Sequence, residues 1–172
     1  NVIIAKDDRG RFMLPEYNFS NMNPWYPGEA YHVEMAAEDV LNYPDDPGEA
    51  PVIFACGDHW EFTIATRTSM NVLVTVINGP EGFQTSAGDQ IGAFNQNNEF
   101  VGYGDVINGE CGIAVWGTEP MLPNLPGVDS HEEFRLVYWD EDQEAEIEIE
   151  DIEIIFGDGL TYLVDSYTVI EI

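Results

Sequence analysis

Short runs in which apolar and polar residues alternate recur along this chain, and this pattern predicts an all-β protein. From Pro51 onward the runs follow one another closely, and turn-forming pairs such as Asn78-Gly79 and Asn108-Gly109 separate them. Turns roughly every 8–12 residues are typical of an antiparallel β-sandwich of the Ig-like or jelly-roll-like kind. The predicted strands are Val52–Ala55, Trp60–Ala65, Met70–Ile77, Gln90–Phe94, Phe100–Val106, Gly112–Trp116, Phe134–Trp139, Ala145–Ile149, Ile152–Phe156 and Tyr167–Ile172.

The N-terminal part has a simpler pattern. Val2–Ala5 and Arg11–Leu14 predict a β-hairpin, and Gly10 is expected to adopt a positive φ in the turn between them. A further strand is predicted over Ala30–Met35, and Ala36–Leu41 has the composition of one helical turn.

The Pro- and Asp-rich segment Tyr43–Gly48 is the best linker in the sequence. We therefore expect two domains: a partial N-terminal β unit over residues 1–48 and a β-sandwich over residues 49–172. A hairpin and one strand are too little to enclose a core. Residues 1–44 are thus expected to pack on the second domain or to be completed by another chain.

The alternation changes phase between two of the later strands. Ile147 and Ile149 alternate with glutamates, whereas Ile152 and Ile154 continue the alternation one residue out of step. A slip of one residue would turn the apolar side of a strand towards solvent. A bulge or bend is therefore predicted near Glu150-Asp151.

The chain begins and ends with strand-like apolar runs. Their apolar residues are Val2, Ile3 and Ile4 at the start, and Val169, Ile170 and Ile172 at the end. Edge strands are templates for pairing with a neighbouring chain. If both runs are edge strands, they predict assembly by strand pairing between copies of the chain.

The charge balance is extreme, with 33 acidic against 5 basic residues and a formal net charge of −28. Nucleic acids and anionic membrane surfaces are excluded as partners, because binding to them depends on Lys and Arg. No apolar run reaches the 18 residues or so of a transmembrane helix. Such a surface repels itself unless salt or bound cations screen it. Both adaptation to high salt and an array of weak divalent-cation sites are consistent with this acidity.

Two acidic turns are candidates for calcium. Asp7 and Asp8 lie in the N-terminal hairpin turn, and Asp140, Asp142 and Glu144 lie in the densest acidic loop. Carboxylate and carbonyl oxygens are the ligands that calcium prefers, although neither turn has the EF-hand spacing. Solvated surface charge is the alternative interpretation of both turns.

Cys56 and Cys111 are the only cysteines. We expect a disulfide between them, because the β-sandwich pattern from Pro51 onward points to a secreted module, and disulfides persist in oxidising compartments. It would close a loop of roughly 55 residues and contribute about 4 kcal/mol through loop entropy. A reduced pair is the alternative.

No group of residues with the spacing of a catalytic or zinc site occurs, and acids are too abundant for any chosen carboxylate pair to be informative. The sequence therefore predicts a protein that is not an enzyme. Aromatic residues suggest glycan stacking, for which Trp25 and Tyr26 in a Pro-rich loop are the best exposed candidates. Trp116 and Trp139 end predicted strands and are expected to pack in the core.

Several motifs are similar to those of secreted surface-protein modules. They are Gly88-Asp89-Gln90-Ile91-Gly92-Ala93-Phe94, Val101-Gly102, Gly112-Ile113-Ala114-Val115-Trp116-Gly117 and Glu133-Phe134-Arg135-Leu136-Val137-Tyr138-Trp139-Asp140. With them, residues 50–172 resemble modules of large Bacteroidetes surface proteins, often found near a type IX secretion sorting tail. Residues 1–44 resemble the end of a unit that often precedes such a module, through Lys6-Asp7, Gly10-Arg11-Phe12 and Pro27-Gly28-Glu29-Ala30-Tyr31.

The resemblance implies an extracellular or cell-surface location and a structural or adhesive role. One departure concerns the turn after Phe94, which in such modules is usually acidic with a glycine and here is Asn95–Glu99. This argues against calcium at that turn. We expect a non-catalytic structural protein that self-associates into a surface assembly or filament. The alternative is a carbohydrate-binding accessory module of a secreted hydrolase.

Overall fold

The computed structural model describes residues 1–22, 24–25, 29–40, 59–60, 66–79 and 83–172. The chain divides into two compact units, Asn1–Phe54 (unit 1) and Ala55–Ile172 (unit 2). The linker expected over Tyr43–Gly48 and the strand expected over Val52–Ala55 lie outside the described residues. Most of the strand predicted over Trp60–Ala65 also lies outside them, and Trp60 itself is not in a strand.

Unit 1 contains a four-stranded antiparallel sheet. Its strands are β1 (Val2–Asp7), β2 (Phe12–Leu14), β3 (Phe19–Ser20) and β4 (Tyr31–Met35), in the order β3-β2-β1-β4, with one turn of 3₁₀ helix over Pro15–Tyr17. The predicted hairpin is confirmed by the pairing of Ala5 with Met13. Gly10 has the expected positive φ, at 81°.

Two expectations for unit 1 are wrong. Residues 36–40 of the predicted helical turn are not helical, and the N–H of Ala36 instead donates to the carbonyl of Asn1 at 2.9 Å. The run from Val2 to Ala5 is not an edge strand, because β1 lies between β2 and β4. Strand order depends on pairing between residues far apart in the sequence, and the helical and strand periodicities of a local segment do not reveal it.

Unit 2 is all-β and sandwich-like, as predicted. Its strands are β5 (Ser69–Val76), β6 (Gln90–Phe94), β7 (Phe100–Ile107), β8 (Glu110–Trp116), β9 (Arg135–Asp140), β10 (Ala145–Glu148), β11 (Glu153–Phe156) and β12 (Tyr167–Glu171). They form one curled sheet in the order β10-β9-β6-β7-β8-β5-β12-β11. All neighbouring pairs are antiparallel except β5 and β12, which run parallel.

The sheet folds over at β7 and β8 and encloses a single core. Asn108 and Gly109, with φ values of 54° and 83°, make the tight turn between these strands. On β7, a Cβ at Gly102 would lie 2.0 Å from the carbonyl oxygen of Ala114, so only glycine permits this close backbone approach. The core side chains include Met70, Val72, Val74, Ile91, Ile113, Val115, Leu136, Tyr138 and Ile170.

The phase slip near Glu150-Asp151 has a different cause from the one expected. β10 and β11 are not one bent strand but lie at opposite edges of the curled sheet, and residues 149–152 lead from one edge to the other. A bulge does occur, but within β11, between Ile154 and Phe156.

The C-terminal apolar run is likewise not an edge strand. β12 lies between β5 and β11, where Ile170 pairs with Val74 on one side and with Ile154 on the other. Val169 and Ile170 are completely buried. The predicted pairing of Val2–Ile4 with Val169–Ile172 between chains therefore loses its premise, because both runs are already paired on both sides.

Candidate functional site

The motif that begins at Gly88 builds a hydrogen-bonded lock between two turns. Gly88 has a φ of 104°, and the carboxylate of the next residue, Asp89, is only 2% exposed. It accepts hydrogen bonds from the N–H of Ser86 (2.6 Å), the hydroxyl of Ser86 (3.0 Å) and the N–H of Glu141 (3.0 Å). The hydroxyl of Tyr138 donates a fourth. One buried carboxylate thus joins the turn before β6 to the turn after β9.

The lock also changes the acidity of Tyr138. Burial raises the pKa of its phenol, and the hydrogen bond to Asp89 and the charge of that carboxylate raise it further. The phenol is therefore a neutral donor at any physiological pH. The four hydrogen bonds that Asp89 accepts hold the turn before β6, the strand β9 and the turn after it together.

The next motif residues hold a tryptophan against the outer surface of the sheet. The side chain of Gln90 is fully buried, and its Oε1 accepts from the N–H of Trp60 at 2.9 Å. Nε2 of Gln90 donates to the carboxylate of Asp105 at 2.9 Å. Gly92 provides the space for the ring, because a Cβ there would lie 3.1 Å from three atoms of the Trp60 indole.

Six rings form a continuous surface around this point, which we call the outer aromatic face. They are His59, Trp60, Phe94, Phe100, Tyr103 and Trp139, and all of them are half-buried. The imidazole of His59 stacks on Trp139 with ring centroids 3.5 Å apart and nearly parallel planes. Trp60 packs on Phe94 and Phe100 at 6.0 and 6.1 Å.

Polar groups surround the outer aromatic face. Oε1 of Glu146 lies 3.0 Å from Nε2 of His59, and the indole N–H of Trp139 donates to Glu141 at 2.8 Å. The guanidinium of Arg135 lies 4.7 Å above the ring of Phe94 and pairs with Glu148 at 3.8 Å. Flat rings with hydrogen-bonding groups beside them are suited to a polar ligand that has an apolar face.

The expectation that Trp139 packs in the core is wrong, because its side chain is only half-buried. Trp139 is directly opposite Gln90 and Glu146, so it shares the outer face with them, whereas its neighbour Tyr138 points into the core. Trp116, by contrast, is buried as expected. The signal that was missed is the alternation along β9, which assigns the two aromatic neighbours to opposite faces.

The predicted glycan residues Trp25 and Tyr26 belong to unit 1. Trp25 is half-buried and stacks on Tyr31 with ring centroids 4.6 Å apart. Tyr26 lies outside the described residues. The role of this pair in glycan binding stays a prediction.

The two carboxylates of the acidic turn in unit 1 differ in burial. Asp7 is buried, and it accepts from the N–H groups of Arg9 and Arg11 and pairs with the Arg11 guanidinium at 2.6 Å. Asp8 is exposed. The oxygens of Asp7 are thus used to close the hairpin turn.

The turn after β9 is arranged in a similar way. Asp140 is buried and accepts from the backbone and side chain of Gln143, whereas Asp142 and Glu144 are exposed. Among the described residues, no group of three or more His, Cys, Asp or Glu side chains is placed to hold a metal ion. Calcium binding stays a prediction for solution experiments.

Cys111 is completely buried in the core of unit 2, and burial raises the pKa of its thiol well above the ordinary value. Its sulfur is a free thiol in the structure. Cys56, its expected partner, lies outside the described residues. The disulfide therefore stays a prediction.

The two edges of the unit 2 sheet differ in chemistry. On the edge strand β10, Glu146 and Glu148 alternate with Ala145 and Ile147, which is the charged pattern that discourages strand addition. On the other edge, β11 has Ile154, Ile155 and Phe156 in succession, and they are 55%, 46% and 46% exposed. We call these three residues the apolar edge.

No helix among the described residues is long and apolar enough to cross a membrane. The comparisons with known proteins give no match: no family model, curated protein or solved structure is similar to this chain.

Proposed function

We propose that this chain is a non-catalytic extracellular structural or adhesive protein that self-associates into a surface assembly or filament, with the apolar edge as a contact. The observation that carries the proposal is the contrast between the two edges of the unit 2 sheet. β10 is protected by alternating carboxylates, whereas β11 exposes three large apolar side chains and pairs only with β12 among the described strands. An exposed apolar edge strand is the usual site of strand addition.

A second copy of the chain fits this edge in antiparallel orientation. If the pairing is centred on Ile155, Ile155 of one copy faces Ile155 of the other, Ile154 faces Phe156, and Glu153 faces Gly157. No carboxylate then faces another carboxylate, and apolar cross-strand pairs form in the middle. The bulge between Ile154 and Phe156 restricts the strands that can add, because a partner must match its irregular register.

One such contact is symmetric and closes into a dimer, so a filament needs a second contact. Unit 1 has edge strands of its own, β3 and β4. β4 exposes His32, Glu34 and Met35 and pairs only with β1 among the described strands. Two different symmetric contacts on one chain generate a linear assembly rather than a closed particle.

The charge of the protein makes this assembly depend on cations. Copies with a formal net charge of −28 repel each other, and 0.15 M salt reduces the range of that repulsion to about 8 Å. We therefore propose that sodium at high concentration, or calcium at a lower one, permits contact. The acidic residues Asp8, Asp142 and Glu144 are exposed and accessible to such ions.

Light scattering and negative-stain microscopy over a range of salt concentrations test the proposal. The wild-type protein is expected to form fibres or large particles at high salt, whereas Ile155→Lys is expected to stay smaller because a charge on an edge strand opposes pairing. Val164→Lys is the matched control, because Val164 is 47% exposed and lies in no strand. Equal assembly of the two variants, or a wild-type protein that stays monomeric in all salts, would contradict the proposal.

The outer aromatic face supports carbohydrate binding as a second candidate function. Its half-buried rings lie beside Glu146, Glu141 and Arg135, which can bond to sugar hydroxyls. Titration with neutral oligosaccharides tests it, with Trp139→Ala as the variant for this face and Trp25→Ala as the variant for the pair predicted in unit 1. Saturable binding that only Trp139→Ala weakens would favour this second function over self-association alone.

A further inference from the structure

A cavity opens beside β10, next to the C-terminal ends of β5 and β12. Its volume is about 550 Å³, within the range of small-molecule sites. The wall is mostly apolar and is formed by Ile77, Phe83, Tyr138, Ile147, Ile149 and Ile172. This cavity is separate from both the apolar edge and the outer aromatic face, which consist of other residues.

The cavity exists because the core is incompletely covered at this side. Ile147 is directly opposite Tyr138, so both side chains face the inside of the sandwich. Tyr138 is 4% exposed, but Ile147 is 44% exposed. Ile149 and Ile172 also pack against the core and are only partly buried. An apolar occupant would therefore cover apolar side chains that already point inwards, and removing apolar surface from water is favourable.

The charge around the cavity selects among apolar ligands. Glu150 and Asp151 line it, and both are exposed. None of the described residues that line the cavity is Lys, Arg or His. The surrounding stretch, residues 140–153, contains nine acidic residues and no basic one. This field lowers the free energy of a cation near the opening and raises that of an anion.

We propose that the cavity binds one amphiphilic cation, a small molecule with an alkyl or aryl body and a single ammonium group. The body packs against Tyr138, Ile147 and Ile149, and the ammonium group remains at the rim near Glu150 and Asp151. The binding does not depend on self-association, so this proposal and the proposed function can fail separately.

Calorimetric titration of the full chain in 0.15 M NaCl tests the ligand class. Four probes are compared below their micelle concentrations: octyltrimethylammonium, octyl glucoside, octanesulfonate and tetramethylammonium. Octyltrimethylammonium is expected to bind at one site and more tightly than the other three. Many weak equivalent sites, or equal affinity for the neutral octyl glucoside, would overturn the proposal.

Variants test the location of the site. Ile147→Trp fills the cavity and is expected to weaken octyltrimethylammonium binding by about tenfold or more. The double variant Glu150→Gln, Asp151→Asn is expected to weaken it by about three- to tenfold while leaving octyl glucoside unaffected. Both residues of the double variant are exposed, so it remains a valid test if Ile147→Trp does not fold.

A charge-matched control separates a site from general attraction to an acidic protein. The double variant Asp8→Asn, Glu34→Gln removes the same charge from exposed positions in unit 1. It is expected to bind octyltrimethylammonium as the wild type does. If it weakens binding as much as the Glu150 and Asp151 variant, the cation is attracted by net charge alone and the proposed site is wrong.

Discussion

Replacing Asp89 by Asn should destabilise unit 2 far more than removal of another negative charge. Asp89 has one carboxylate oxygen, Oδ1, that accepts from the hydroxyl of Ser86 and the N–H of Glu141. The other, Oδ2, accepts from the N–H of Ser86 and the hydroxyl of Tyr138. An asparagine has one oxygen and one NH₂ group in these two places. Either orientation therefore points the NH₂ group at one hydroxyl and one backbone N–H.

The loss of stability expected for Asp89→Asn follows from that geometry. A hydroxyl can rotate and accept from the new NH₂ group, but the backbone N–H of Ser86 or of Glu141 cannot. One buried N–H left without an acceptor costs about 1–3 kcal/mol, and the remaining bonds lose their charge assistance. We expect a loss of about 2–4 kcal/mol in the free energy of unfolding. With a urea m-value of about 2 kcal/mol per M, the midpoint should fall by about 1–2 M.

Tryptophan fluorescence during urea unfolding measures this effect, because Trp60, Trp116 and Trp139 all belong to unit 2. Asp142→Asn is the matched control, since Asp142 is exposed and the charge change is identical. The control should unfold at the wild-type midpoint or slightly above it, because self-repulsion falls. If Asp89→Asn unfolds at the same midpoint as Asp142→Asn, the carboxylate does not lock the two turns and the argument fails.

Three further predictions concern pH, ions and the cysteines. Burial and Asp89 raise the pKa of Tyr138, so the phenol stays neutral in the folded state at pH values where it ionises in the unfolded chain. Above about pH 10 the free energy of unfolding therefore falls, by up to about 1.4 kcal/mol per pH unit. Tyr138→Phe should lose this contribution to the pH dependence in unfolding curves recorded between pH 9 and 11. The melting temperature should rise with NaCl concentration, because salt screens the repulsion within a chain of net charge −28. If calcium binds at specific sites, the rise should be steeper with CaCl₂ at matched ionic strength. A melting temperature unaffected by either salt would show that this charge does not limit stability. A bond between Cys56 and Cys111 predicts a mass lower by two hydrogen atoms under non-reducing conditions, and two thiols that alkylate once the unreduced protein from its source is unfolded would refute it.

The local pattern was sufficient to find most strands of unit 2. Gln90–Phe94 has the predicted bounds, and Ile147 and Glu146 are on opposite faces as their alternation indicated. Asn108-Gly109 forms the predicted turn. These features depend on residues close together in the sequence, where periodicity and turn propensity decide the outcome.

Strand order and the contacts of the site could not be found in this way. The chain passes from β10 at one edge to β11 at the other within residues 149–152, and a change of phase alone does not distinguish this from a bulge. Asp89 meets Tyr138 and Glu141 from 49 and 52 residues away. The motif beginning at Gly88 was recognisable, but its function as a lock depends on partners that local propensity does not identify.

The parallel pairing of β5 with β12 determines how unit 2 bears mechanical load. These strands come first and last among the described strands of the unit, they lie side by side, and Tyr167 is opposite Asn71 while Ile170 is opposite Val74. Tension applied between the start of β5 and the end of β12 pulls the two strands along their length in opposite directions. Their hydrogen bonds then resist together in shear instead of opening one after another. This pairing therefore favours resistance to tension, a property that the proposed surface assembly would require.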